Sequence, residues 1–258
     1  MQGKLKSTVA VVRSFSNPNV AKLIEKLLSY GLGKVVVVVN APNDKGATPG
    51  FLGQIKDDRL AILEMHEGYS WANALNLAMM SVMIHNTATR ARQEQELRFV
   101  LNVSVEALFT KEHIEQMLDT ATDNQQVAVV GTSFKGKQSG NWISLGRSYR
   151  HPRNTGMLIR IEALGQIIAG FDARCDGIGG MEDIDFILRM LALSSLTYEM
   201  LDLEVPLIVG TNYHQPTKEE REQSAMDQII IFWTNLFPTG STEHLRIWHA
   251  IEKMGLLH

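Results

Sequence analysis

At 258 residues the chain is long enough to bury a sizeable core as one α/β domain. Hydrophobic residues make up 45% and charged residues 21%, and 25 basic side chains nearly balance 28 acidic ones, which excludes a disordered chain and gives nucleic acid no basic footprint. The one cysteine, Cys175, excludes an internal disulfide and a cysteine-built zinc site.

The elements follow in chain order. Thr8 to Val12 reads as a strand; after Asn17-Pro18-Asn19, a helix over Val20 to Tyr30 places Val20, Leu23, Ile24, Leu27 and Leu28 at helical spacing. Gly31 and Gly33 stop that helix, and Lys34 to Val39 is a β-branched run of the kind buried on both faces of a parallel sheet. Ala41 to Gly46 is a turn cluster, Leu60 to Met65 a third strand, and Ser70 to Ile84 a helix. Arg90 to Glu96 reads as a polar surface connection, Leu97 to Leu101 as a strand with the polar ending Asn102-Val103-Ser104, and Lys111 to Ala121 as an amphipathic helix. Val127 to Val130 is another strand, while Gly136 to Arg153 is rich in Gly, Ser, Arg and Lys and reads as an excursion from the main sheet. A strand over Thr155 to Ile161, helices over Glu162 to Ile168 and Asp183 to Leu193, and a late strand over Val205 to Val209 follow. Beyond Pro216 the chain turns helical, with Thr217 and Glu220 at capping-box spacing and a last helix starting at Ser241 or Thr242.

Strands separated by helices predict a Rossmann-like, mostly parallel central sheet flanked by helices, with a core over about 7–215 and a helical extension over about 217–258. Such sheets bind ligands at the carboxyl ends of their strands, so the site is expected on the loops that leave them. Neither G-x-G-x-x-G nor G-x-x-x-x-G-K-[ST] occurs, which removes the dinucleotide fingerprint and the P-loop. The N-terminal apolar stretch is too short for a signal peptide, and no apolar run approaches the roughly 20 residues that span a bilayer. A reducing cytoplasmic setting is therefore expected, with no transmembrane segment and with association to the inner membrane face or into oligomers left open.

Gly177-Ile178-Gly179-Gly180-Met181-Glu182-Asp183-Ile184-Asp185 is the richest stretch, setting three carboxylates within four positions behind a glycine-rich loop and ahead of an apolar helix. Glu182 and Asp185, three apart, share a helix face, whereas Asp183 projects elsewhere, so each acid can have its own task. Acids also favour any helix N-terminus, where free N–H groups and the dipole attract them.

Read together, these segments resemble the family-2 glycosyltransferases of GT-A fold, over roughly residues 7–215 and in the same order. Ser7 to Ser16 is similar to the first strand and the loop that receives the nucleoside, and Val35 to Asp44 to the second strand with its polar ending. Ala74-Leu75-Asn76 is similar to the family's A-L-N helix start. Phe171-Asp172 with Gly179 to Asp185 is similar to its G-F-D and G-G-E-D-x-D segments, with Met181 added. The resemblance implies transfer of a sugar from a UDP- or GDP-linked donor to an acceptor hydroxyl of a glycan or lipid-linked carrier, with inversion. It implies Asp183 as general base, Glu182 as the acid that orients the acceptor, and Asp185 as a contact to the loop or to a base. It also implies Arg13, Ser14, Asn40, Asp44, Asn76, Asn102, Ser104, Gly179 and Gly180 as contacts to the nucleotide sugar.

The sequence departs from the family at the D-x-D motif, whose carboxylates hold a divalent cation against the donor diphosphate; this chain has Asn102-Val103-Ser104. Mn²⁺ and Mg²⁺ prefer anionic oxygen, which an amide and a hydroxyl do not supply. Two substitutes remain. Glu106 and the late histidine of Tyr213-His214-Gln215 are candidate metal ligands, and Arg13, Lys135, Arg147, Arg150 and Arg153 are cations able to hold a diphosphate without metal. Trp142 and Tyr149 are candidates for stacking on a sugar face, or ordinary packing aromatics. The rivals to glycosyl transfer are a GT-A scaffold that binds sugar or assembles a partner without transferring anything, and a nucleotidyltransferase, which also needs acidic metal ligands.

Overall fold

The computed structural model describes residues 2–14, 17–67, 70–134, 141–144, 147–150, 152, 155–164, 170–172, 182–208, 240–242 and 245. A short helix α1 (Gln2–Lys6) leads into β1 (Thr8–Ser14), α2 (Val20–Ser29) and β2 (Lys34–Asn40). The turn cluster expected over Ala41 to Gly46 contains a short helix, α3 (Ala41–Asp44), and a second, α4 (Ala47–Leu52), follows it before β3 (Leu60–Met65). Then come α5 (Trp71–Ala91), β4 (Phe99–Ser104), α6 (Lys111–Asp123), β5 (Val127–Phe134), β6 (Asn141–Ser144) and β7 (Arg147–Arg150). The described chain continues through β8 (Gly156–Arg160), α7 (Ile161–Leu164), α8 (Glu182–Leu193) and β9 (Thr197–Val205).

Seven strands form one sheet in the order β3-β2-β1-β4-β8-β5-β9. Strand β8 is antiparallel to both of its neighbours, and every other pairing in the sheet is parallel. Strands β6 and β7 form a separate antiparallel pair within the predicted excursion.

Both faces of the sheet are covered, which is why its strands read as continuous apolar runs rather than alternating ones. Ala10 and Val12, Val35, Val37 and Val39, and Leu101 and Val103 pack with Ile24 and Leu27 of α2 and with Ile114 and Leu118 of α6. The intervening Val9 and Val11, Val36 and Val38, and Val100 pack instead with Leu75, Ala78 and Val82 of α5 and with Phe186, Ile187 and Met190 of α8. This alternation places every residue of the central strands on a known side.

Three expectations are corrected. Helix α5 runs on to Ala91, because Arg90 and Ala91 continue its exposed side and the stop comes at Arg92 and Gln93, the latter with φ of 56°. Strand β4 extends through Asn102-Val103-Ser104, since β1 and β8 flank it on both sides and supply partners for these residues. The last described strand is β9 at Thr197–Val205, not 205–209: its polar and apolar residues alternate because it is an edge strand with one wet side. The helices expected beyond Pro216 lie largely outside the described residues; the Leu245 N–H donates to the Ser241 carbonyl at 3.0 Å, one helical turn at the expected start.

Helix α6 opens on a capping box in which the Thr110 hydroxyl accepts from the His113 N–H and the Thr110 N–H donates to His113 Nδ1, both at 3.3 Å. A ring nitrogen that accepts must be unprotonated. Burial holds the His113 pKa below its ordinary value, opposed by nearby Glu112 and assisted by Lys26. With the folded pKa below the unfolded one, the unfolded chain takes up protons first, so the stability this histidine contributes is present above the unfolded pKa and is lost as the pH falls through and below it. Acidification from about pH 7.5 to about 5.5 is expected to lower the melting temperature of the wild type more than that of His113→Gln, whose amide keeps the cap without titrating. Equal pH dependence in the two proteins would refute this account of the cap.

Candidate functional site

The carboxyl ends of β1, β2 and β4 lie side by side: Ser14 pairs in register with Val39, and Arg13 with Ser104. The residues that the sequence nominates at this edge fall on two sides of the sheet. Continuing the alternation of Val9 and Val11, Arg13 faces α5, as do Asn40 after Val36 and Val38, and Asn102 and Ser104 after Val100. Ser14 falls on the other side, toward α4.

On that other side Ser14, Asp44 and Thr48 form a buried chain. The Asp44 carboxylate accepts the Thr48 N–H at 2.7 Å and the Thr48 hydroxyl at 2.5 Å, and Thr48 Oγ1 lies 3.0 Å from Ser14 Oγ. The single hydroxyl proton of Thr48 goes to the carboxylate, so Ser14 is the donor in the last contact. Asp44 is 1% exposed, and this chain ties the loop after β2 to the end of β1. Asp44 acts there through Thr48, a residue the sequence reading did not single out.

On the α5 side the Arg13 guanidinium lies over the Trp71 ring at 4.0 Å from its centroid. Trp71 is the first residue of α5, directly after Ser70, whose hydroxyl caps the helix by accepting the Asn73 N–H. Arg13, Asn40 and Asn102 are all buried, Asn102 completely. Ser104 Oγ accepts the Glu106 N–H at 3.3 Å, and the Ile208 N–H donates to the Glu106 carbonyl at 2.8 Å, which ties this loop to the end of the described sheet region. Glu106 itself is half-buried.

Helix α8 carries the acid cluster. It is followed by β9, whose first residue Thr197 pairs with Val127 at the amino end of β5, so the helix starts toward the carboxyl edge and runs back. Its apolar residues Phe186, Ile187 and Met190 join the cluster formed by Val9, Val11 and Leu75. The acids therefore stand on the same side of the sheet as Arg13 and Asn102. Glu182, Asp183 and Asp185 are buried, at 4%, 7% and 5% exposure. Asp183 Oδ1 accepts the Ile184 N–H at 2.8 Å, which fixes the carboxylate at the helix start. Asp185 is engaged by Arg189 one turn on: Arg189 Nη2 donates to its Oδ2 at 2.6 Å and Nε to both oxygens at 3.0 and 3.1 Å. The same Nη2 donates to the Gly170 carbonyl at 2.6 Å.

Asn76 completes this scaffold. Its Nδ2 donates to the Phe171 carbonyl at 2.7 Å and its Oδ1 accepts the Phe171 N–H at 2.8 Å, a two-bond amide clamp across 95 positions of sequence. Phe171 stacks on Phe186 of α8, with centroids 4.5 Å apart. Gly170 has φ of +63°, and a side chain there would run into Asn76 Oδ1. The segment Gly170-Phe171-Asp172 is thus held from α5 by Asn76 and from α8 by Arg189. Asn76 meets protein backbone in this arrangement, and Asp185 meets the loop through Arg189. The Asp185–Arg189 pair was legible as i,i+4 spacing of opposite charges.

Asn76→Leu, which leaves both Phe171 backbone groups without their clamp, is expected to cost about 2–4 kcal/mol, read by urea denaturation. A loss under about 0.5 kcal/mol would show that the clamp contributes little.

Gly179, Gly180 and His214 lie outside the described residues, as do Lys135 and Arg153. Trp142 and Tyr149 are cross-strand partners in the β6–β7 pair, as are Arg150 with Asn141 and Arg147 with Ser144. In chain order that pair stands between β5, which ends at the carboxyl edge of the parallel strands, and β8, which begins there.

No protein-family model matches the chain, and no curated protein sequence matches it significantly. Among solved structures it is similar to the mannosyltransferase PcManGT of Pyrobaculum calidifontis, a complex with GDP-mannose and Mn²⁺, at a TM-score of 0.61 and 13% identity over 98% of this chain and 76% of that one. It also overlaps 4-diphosphocytidyl-2C-methyl-D-erythritol synthase of Anaerococcus prevotii at a TM-score of 0.45 and 9% identity, over 87% of this chain and 97% of that one, a looser likeness that carries no structural argument. The first match shows that the mostly parallel sheet with flanking helices has the GT-A glycosyltransferase fold. Among the described residues no helix is long and apolar enough to cross a membrane.

Proposed function

We propose that this chain is a glycosyltransferase, of family-2 type, that moves a sugar from a nucleoside diphosphate donor to an acceptor hydroxyl with inversion. The observation that carries the reading is the burial of Glu182 and Asp183 at the start of α8, on the side of the sheet where Arg13, Asn40 and Asn102 line the carboxyl edge. A GT-A fold at a TM-score of 0.61 supports it, as does the place of the edge, since open α/β sheets bind ligands at their carboxyl ends.

In this reading the acceptor oxygen attacks the anomeric carbon from the face opposite the leaving group. The new C–O bond forms as the bond to the diphosphate breaks, and the acceptor's proton passes to the Asp183 carboxylate. The bond from the Ile184 N–H holds that carboxylate in one orientation, and a base in fixed position is what proton transfer at the moment of attack requires. Glu182 orients the acceptor. Asp185 is a positioning residue: paired with Arg189, it supports Gly170-Phe171-Asp172 beside the acids.

The reading is tested by incubating the protein with a panel of UDP- and GDP-sugars, with and without simple sugar acceptors, and measuring released nucleoside diphosphate. Release from one donor class, accelerated by acceptor, is expected. The neutral Asn102 and Ser104 favour one rival, a GT-A scaffold that binds sugar without transferring it. No release from any donor would select that rival.

A further inference from the structure

The two ends of the sheet are finished differently. At one end β9 sets the exposed Glu199, Asp202 and Glu204 among its apolar residues, and its pairing with β5 shifts register between Val127 and Val129 and between Thr132 and Ser133. Charge and irregular register both discourage a further strand from adding to an edge. At the other end β3 reads Leu60-Ala61-Ile62-Leu63-Glu64-Met65, pairs with β2 without a shift, and contains no proline, no lysine and no charge but that of Glu64. Ile62 is 37% exposed, and Leu60, Ala61 and Leu63 are half-buried. Such an edge is a template for another strand.

The ladder to β2 fixes what this edge leaves open. The Arg59 carbonyl accepts the Val35 N–H at 2.9 Å, so in the parallel pattern Ala61 and Leu63 turn their backbone groups toward β2, while Leu60, Ile62 and Glu64 turn theirs outward. The Asp57 carbonyl takes the Leu60 N–H at 3.0 Å. Among the described residues no group pairs with the outward N–H and C=O of Ile62 and Glu64. A second copy of the chain, turned about a two-fold axis normal to the sheet, presents the same edge antiparallel and with the same face up, so residues that meet have numbers of the same parity. A register centred on Ala61 sets Asp58 against Glu64, and one centred on Leu63 sets Ile62 against Glu64. Centred on Ile62, the register keeps apolar residues together: Ile62 meets Ile62 with both backbone bonds exchanged, and Ala61 meets Leu63. The Glu64 N–H then reaches the open Leu60 carbonyl, and Asp58 meets His66, whose ring can carry the opposite charge.

We propose that β3 is a self-association surface, across which two copies of this chain pair antiparallel about Ile62 and join their sheets into one. The occupant is a second copy because the edge carries its own complement: an apolar centre over Leu60 to Leu63, with Asp58 on one side of it and His66 on the other. A two-fold contact of this kind uses the same patch on both partners and closes on itself. Pairing of β3 with β9 of another copy, which would grow without closing, brings the acids of β9 beside Glu64 and Glu67. Antiparallel pairing turns the two carboxyl edges to opposite ends of the joined sheet, so both candidate sites stay open. A contact made by one six-residue strand from each copy buries less than the roughly 1,200 Å² of a standard interface, so the dimer is a weak one.

The test is sedimentation velocity of the full chain from about 5 to about 500 µM, for the wild type, Ile62→Lys, Ile62→Pro and Ile84→Lys, with circular dichroism to establish folding. The wild type is expected to pass from monomer to dimer across this range. Ile62→Lys sets two like charges on the axis, and Ile62→Pro deletes the outward N–H while leaving the ladder to β2, since an edge strand tolerates proline where its N–H faces solvent. Each should weaken association by about tenfold or more. Ile84→Lys changes an exposed apolar residue of α5, away from the edge, and should leave association within about twofold of the wild type. If the proline variant does not fold, the lysine variant decides. A wild type that stays monomeric, an Ile62→Lys protein that associates within about twofold of it, or particles that grow beyond the dimer overturn the proposal. Loss of the dimer in Ile84→Lys alone also overturns it and moves the contact to α5. Each of these outcomes leaves the glycosyltransferase reading untouched.

Discussion

Asp183→Asn is expected to lower turnover with donor and acceptor present by about 10²–10⁴-fold, the usual worth of a positioned general base. Donor affinity should stay within about twofold of the wild type, because the lost function acts on the acceptor's proton and not on the nucleotide. The substitution is nearly isosteric. The asparagine Oδ1 still accepts the Ile184 N–H, so the first turn of α8 keeps its geometry. Removing a negative charge from a helix start costs only about 0.3–1 kcal/mol, too little to unfold the chain. Glu182→Gln is the informative companion: a residue that orients the acceptor should raise the KM for acceptor more than it lowers kcat. An Asp183→Asn protein with wild-type turnover would remove Asp183 from the reaction, whereas a protein that neither form allows to transfer sugar belongs to the scaffold class.

Gly33→Ala is expected to be among the most damaging single substitutions outside the site, costing about 3–5 kcal/mol. A Cβ at Gly33 would sit far inside van der Waals contact with the Lys6 carbonyl oxygen, with the Lys6 carbonyl carbon at 2.9 Å and Leu97 Cδ2 at 3.0 Å. Those Lys6 atoms are backbone, so no rotamer change relieves the clash. The Gly33 N–H also donates to the Leu5 and Thr8 carbonyls at 3.1 and 3.0 Å, so any shift loosens the entry of β2 beside β1. Gly31 provides the control. Its φ of +84° ends α2 in the left-handed region, but a side chain there meets nothing within 4 Å. Gly31→Ala should therefore cost only about 1 kcal/mol, the strain of a left-handed alanine. Guanidinium denaturation of the two variants ranks them, and equal losses would refute the close-approach account of Gly33.

These two glycines mark where sequence reading stops. Both stand after an apolar helix and before a strand, and both were read as helix stops. One is required by local backbone conformation and the other by the approach of a segment 27 positions earlier in the chain. The same division runs through the site. The acid cluster was legible because three carboxylates behind a glycine-rich loop are a local pattern. Asn76 stands out in the sequence only through its resemblance to a motif, and the backbone it clamps, that of Phe171, lies 95 positions away. Asp44 reads from the sequence as a turn residue or a nucleoside contact; its partner Thr48 is close in sequence but lies just past the turn cluster, in a stretch with no sequence signal that forms α4.

By itself the sequence determined the alternation of the central strands with the longer helices and the mostly parallel character of the sheet, because apolar period and helix-stop signals are local and both faces of the sheet had to be buried; the short helices α1, α3 and α4, the β6–β7 pair and the place of β9 were not in it. It also determined the acid cluster at the start of α8. Only the tertiary structure decided which candidates share a side of the sheet. A strand alternates its side chains whatever covers it, and the helices that pack on each face settle whether a given residue meets α5 and α8 or α2 and α6. That packing put Arg13, Asn40, Asn102 and the acids on one side, and left Ser14 on the other, joined through Thr48 to Asp44.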